Sequence, residues 1–154
     1  MPRYLPERPL PPYAFLPGGA HPHPIRDPHG HAHGRAPAPP ETAFVWGVDL
    51  YNHGFYWEAH EVWEGRWRAE GSGAQAAFLQ GLIQCAAACL KLRGGKWAAA
   101  QRLASRAMGH LEQASEGGAA SLGLDLVGFA ARFHEWMASA PESPEHRPRL
   151  RLSR

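Results

Sequence analysis

No proline stands between Glu41 and Ala140, whereas twelve of the fifteen prolines fall in residues 1–40. Proline lacks a backbone N–H and turns the residue before it away from helical dihedrals. The leader therefore cannot be a regular domain, while the stretch after it is free to be helical. Three prolines return at 141, 144 and 148. We expect three parts: an extended Pro/His-rich arm over 1–42, a helical bundle domain over 43–139, and a basic, mobile tail over 140–154. The arm is expected either to be disordered or to lie across the surface of the bundle.

Within the proline-free stretch, turn signals fall at regular intervals. Thr42 is expected to cap a helix over 43–52, which Asn52-His53-Gly54 stops. A second helix over 55–69 ends before the Gly71-Ser72-Gly73 turn. The third, 75–93, is apolar nearly all round, the mark of a helix central to a bundle. Gly94-Gly95 separates it from a fourth over 96–115, and Asp125 caps a fifth over 126–139. No useful alternating strand pattern appears. The expected fold is all-α: a compact bundle of four to five antiparallel helices, since short connections turn each helix back on its predecessor.

The formal net charge is +2. The bundle region carries eight Lys/Arg against nine Asp/Glu, so the excess sits at the two ends. No basic stripe with interleaved aromatics is present, and no nucleic-acid partner is expected. Cys85 and Cys89, four apart on a helix, are expected to be small buried hydrophobes in a reducing compartment. MPRYLPERPLPPY has no apolar leader segment, and no uninterrupted apolar run reaches membrane-spanning length, so the expectation is a cytoplasmic chain without a membrane partner.

The chemistry concentrates in WEAHEVWEGRW, residues 57–67. At about 100° per residue, Phe55, Ala59, Val62 and Trp63 form an apolar stripe. His60 and Glu64 lie one turn apart, near the buried margin between Trp57 and Trp67. Glu58 and Glu61 are expected to face water. A carboxylate beside an aromatic wall is costly unless paired, protonated or bound to a cation. Imidazole and carboxylate at this spacing can pair with each other, or converge on one divalent metal. Gln80 and Gln84, also one turn apart, could face them across a helix pair or face water, and Gly81 would let a neighbour approach closely. The zincin pattern H-E-x-x-H is met only in part, because Glu64 stands at the second histidine's place. His53 is expected to be solvated in its turn.

LYNHGFYWEAHEVWEGRW followed by FLQGLIQCAAACLK resembles the small all-helical bacterial and archaeal proteins of the family called domain of unknown function 309. The family's H-x-x-x-E-x-x-W/Y motif is matched by His60, Glu64 and Trp67. Its asparagine-glycine turn is matched at Asn52-His53-Gly54, and its QGLIQ element at Gln80 to Gln84. The resemblance covers roughly residues 43–115. It implies a divalent-metal ligand pair in His60 and Glu64, with Trp67, Gln80, Gln84 and Glu61 around it. A predicted metal-dependent hydrolase activity is implied as well. Some relatives resemble this chain in the arm too, which makes His23, Asp27 and His31 candidate additional ligands.

Two readings are open. In one the protein binds a divalent metal and is a metal-dependent hydrolase. In the other it is a non-enzymatic helical binding or scaffold module, in which His60–Glu64 is a structural polar pair. Either leaves the partner as an unidentified small molecule or protein, or a second copy of the chain as a homo-oligomer.

Overall fold

The computed structural model describes residues 2–23 and 40–153. Five α-helices succeed one another: α1 (Pro40–Asn52), α2 (Tyr56–Glu70), α3 (Ala74–Arg93), α4 (Trp97–Glu116) and α5 (Leu126–Ala138), with a 3-10 turn at Pro144–His146. Among the described residues there is no strand, and consecutive helices pack on one another in an all-α bundle. Proline opens α1, where its missing N–H has no intrahelical role. Thr42 consequently lies inside the first turn and is not the cap. At α5 the expected cap is present: Asp125 Oδ1 accepts from the Gly128 N–H at 3.0 Å.

The α1–α2 corner depends on Gly54, whose φ of +87° is open to glycine and strained for other residues. Past it, the Phe55 N–H returns to Leu50 O at 2.8 Å, which starts α2 against α1. α3 runs through the middle, between α2 and α4, and buries Phe78, Leu79, Leu82, Ala86 and Cys89. By length and composition α3 is apolar enough to cross a membrane, but most of that stretch is buried inside the bundle. Both cysteines are free and buried. Burial pushes the Cys85 thiol well up and the Cys89 thiol up to about 12, so neither is a ready nucleophile.

Two glycines let helices touch. A Cβ on Gly47 would lie 2.1 Å from Trp63 Nε1, because the fully buried indole of α2 occupies that side of α1 and donates to Phe44 O at 3.1 Å. A Cβ on Gly81 would lie 2.5 Å from Leu111 of α4. The close approach expected at Gly81 is therefore real, and the helix that makes it is α4.

Both chain ends lie on α1. Asp49 is fully buried, and its carboxylate accepts the Tyr4 and Leu5 N–H groups, each at 2.8 Å, with Arg3 Nε 3.8 Å away. Arg3 and Arg8 lie over the Trp46 ring. Residues 2–23 of the arm thus lie across the helices. Asn52, one turn after Asp49, clamps the other end: its amide nitrogen donates to Leu150 O and its oxygen accepts from the Leu150 N–H, both at 2.8 Å. Leu150 and Leu152 are buried, and the Leu152 N–H donates to the Tyr4 hydroxyl at 2.8 Å, so the two ends also meet each other. The expectation of a mobile tail is corrected. A basic, proline-broken segment is held because its leucines fill the core margin and its backbone is bonded by α1.

Asn52→Ala should cost about 2–4 kcal/mol, since it strands a buried N–H and a buried carbonyl of Leu150 together; urea unfolding measures it. Gly47→Ala should cost roughly 1–3 kcal/mol by displacing the Trp63 indole, and the same assay should show no smaller loss than a surface Gly65→Ala, whose added Cβ meets nothing.

Candidate functional site

The buried face of α2 is Tyr56, Glu58, Ala59 and Trp63. This differs from the expected stripe at one position that matters. Glu58 is 6% exposed, not solvated. The arm is the cause: Phe15 is buried, and its N–H donates to Glu58 Oε2 at 2.9 Å. The Phe15 ring packs edge-on against Trp57 at 5.2 Å, and His23 does the same at 5.3 Å. A segment more than forty residues upstream closes over this side of α2. Burial raises the Glu58 carboxyl to about 7, although the Phe15 hydrogen bond, a backbone bond of its own and the Arg93 charge pull the other way.

The next turn is open. His60 Nε2 lies 3.3 Å from Glu64 Oε2, with side-chain exposures of 31% and 23%. The other Glu64 oxygen is bonded by Arg68, which is 67% exposed. Glu61 does not simply face water: it offers a carboxylate oxygen to the same spot, and one donor atom from each of His60, Glu61 and Glu64 lies within 4.8 Å of the others. Two ligands of one ion at 2.0–2.2 Å can be no more than about 4.4 Å apart. The His60–Glu64 spacing of 3.3 Å is inside that limit, and the trio as a whole is held within 4.8 Å. One imidazole and two carboxylates form a donor set suited to a first-row divalent ion. The residues present fit such an ion, and Arg68 would hold the non-ligating oxygen of Glu64 in place.

The remaining sequence candidates separate from this spot. Trp67 is half-buried and packs against the core. Trp63 is fully buried and does not reach this patch's surface. Gln84 does not meet the His60–Glu64 pair. Its Oε1 lies 2.8 Å from His110 Nδ1 of α4, because α3 turns this edge toward α4. Gln80 is half-buried on the same helix. The hypothesis of a four-residue polar lock between α2 and α3 is corrected, since both oxygens of Glu64 are engaged from within α2. Arg66 pairs with Glu70 at 2.9 Å. His23 packs on Trp57 and Phe15; Asp27 and His31 lie outside the described residues. His53 is shielded more than a solvated turn residue would be: its Nε2 is buried without a hydrogen-bond partner among the described residues, and desolvation lowers its pKa.

Sequence reading missed three things: the burial of Glu58, the Asn52 clamp, and the arginines of the tail. Only the last left a signal. In Arg147-Pro148-Arg149-Leu150-Arg151-Leu152, basic and apolar residues alternate, the pattern of an extended segment with one face buried.

Fold and site define a small helical bundle whose second helix presents a histidine and two glutamates on one half-exposed patch. Residues 44–103, from α1 into α4, match the model of the family described as Domain of unknown function (DUF309), to which this segment is similar. No curated protein and no solved structure matches the chain.

A raised carboxyl has a definite sign in stability. Glu58 moves from an ordinary 4.5 to about 7 on folding, so the folded chain holds this proton more tightly than the unfolded one. Its contribution is full below about pH 4.5 and is lost as the pH rises to about 7. The wild type should lose on the order of 2–3 kcal/mol across that window from this group. E58Q, which keeps an acceptor for Phe15 and has no proton to lose, should show a flatter profile and be the more stable protein at pH 8. Urea titrations at pH 5 and pH 8 give the comparison.

Proposed function

We propose that the protein binds a divalent metal ion through His60, Glu64 and Glu61. One observation carries the reading: an imidazole nitrogen and two carboxylate oxygens, from three residues of one helical face, lie within 4.8 Å of one another. Partial exposure supports it further, because the ion could enter and would keep coordination positions facing water. Zinc or manganese matches the mixed nitrogen and oxygen donors.

The hydrolase function implied by the family resemblance rests on this reading. When bound, such an ion supplies Lewis acidity toward an ester, amide or phosphoester oxygen. The chain's own residues then divide the work. His60 and Glu64 hold the ion, Arg68 fixes the second oxygen of Glu64, and Trp67 presents an apolar wall to a substrate. Glu61 belongs to the donor set, which removes it as the general base that its place after His60 would suggest. The scaffold alternative is favoured only by the pairing of Glu64 with both His60 and Arg68. An exposed chain of that kind contributes under about 1 kcal/mol and does not join two helices.

Calorimetric titration of the untagged chain with zinc and manganese should give one saturable site. His60→Ala and Glu64→Gln should each weaken it ~10-fold or more, while replacing His21, His23, His29, His31 and His33 together by alanine should leave it. Loss of the signal with the arm histidines and its survival in His60→Ala would reverse the assignment. Hydrolysis of p-nitrophenyl acetate or phosphate that needs the metal and vanishes in His60→Ala would extend the reading to catalysis.

A further inference from the structure

A second site lies at the α1–α2 corner, built by segments that the metal reading does not use. A cleft of about 600 Å³ is lined by Asn52, His53, Tyr56, Arg93, Arg147 and Arg149, with Glu142 and Glu145 also on its walls. Three guanidinium groups thus border one space. Each gives part of its donor set to the corner: Arg147 to Tyr51 O at 3.2 Å and to Asn52 O, Arg149 to Asn52 O at 2.8 Å, and Arg93 to Gly54 O at 2.7 Å. The Tyr51 and Asn52 carbonyls end α1, where the helix dipole is negative, and Gly54 lies in the turn just beyond, so cations are well placed there.

Capping does not account for the whole arrangement. A guanidinium has five N–H donors, and Arg93 and Arg149 each donate one hydrogen bond among the described residues. None of the three forms an ion pair among the described residues, although Glu142 and Glu145 border the same cleft. Arg147 is only 8% exposed, and its Nε is buried without a hydrogen-bond partner among the described residues. Arg93 and Arg147 lie over the Tyr56 ring and Arg147 also over Tyr51, and Glu142 and Glu145 stand on the walls. None of the three cations is directly ion-paired among the described residues, however, and their mutual repulsion is greater where water is partly excluded. An anion in the cleft relieves it.

We infer that the cleft bordered by Arg93, Arg147 and Arg149 is a binding site for a small ligand bearing phosphate or carboxylate oxygens. The planar fork of arginine matches both oxyanions with two parallel hydrogen bonds. The volume is that of a metabolite pocket. Glu142 and Glu145 on the walls turn away a long polyanion and leave acceptors for a hydroxyl or ammonium group on a small one. The site is separate from the His60 patch and stands or falls independently of it.

The test uses the full chain at constant ionic strength, with inorganic phosphate in one arm and citrate in the other. Nitrogen-15 spectra should show saturable shifts of the Arg93 and Arg149 side-chain N–H signals and of backbone amides at 51–56 and 142–150. Whichever oxyanion saturates at the lower concentration names the class. Arg93→Gln and Arg149→Gln should each weaken binding at least ~10-fold, and His60→Ala should leave it unchanged. No saturable shift with either anion overturns the proposal, as does undiminished binding in the Arg93→Gln/Arg149→Gln double variant. Should that double variant lose its helical circular dichroism, the wild-type shift map decides alone, and shifts centred away from the cleft overturn the proposal.

Discussion

Two buried polar side chains on the last turn of α1 hold the molecule in its arrangement. Asp49 takes the backbone N–H groups of Tyr4 and Leu5, and Asn52 takes both polar groups of Leu150. Neither residue reaches water, so each must be satisfied inside the protein. Satisfying them fixes the paths of the two non-helical ends over α1, where the Tyr4 hydroxyl meets the Leu152 N–H. The bundle supplies apolar burial, and this corner decides what covers it.

The consequence for α2 is a division of its carboxylates. Where the arm passes, Phe15 and His23 close on Trp57, and Glu58 is taken out of water. One turn further on the helix is half-exposed, and His60, Glu61 and Glu64 share a patch. Three acidic residues within seven positions thus divide between two environments, one favouring a proton and the other open to a cation. The same corner gathers the arginines of the tail beside α1, where the chain ends add a cationic cleft to a bundle that is itself near neutral.

Much of the bundle was legible because its signals are local. Gly54, the Gly94-Gly95 pair and Asp125 mark helix ends at or within a residue or two of where they fall. The spacing of His60 and Glu64 put them on one face, and the 3.3 Å contact is a consequence of helical pitch. What failed was non-local. Helical phase alone sends Glu58 to water, and nothing near it announces that Phe15 will cover it. The neighbour of Gln84 was left open because periodicity tells which residues share a face, not which helix meets that face; Gln84 reaches His110 of α4. The tail was misread because proline and charge outweighed the alternation of Leu150 and Leu152, which carries the burial.

The central claim is that the open turn of α2, and not the histidine-rich arm, is where a cation belongs. Anomalous diffraction at the zinc or manganese edge, from crystals of the metal-loaded full chain, tests it most directly. The account predicts a peak about 2.0–2.2 Å from His60 Nε2 and from a Glu64 oxygen, with Glu61 turned toward it. A peak held by the arm histidines alone, with His60 and Glu64 still paired to each other, would contradict it.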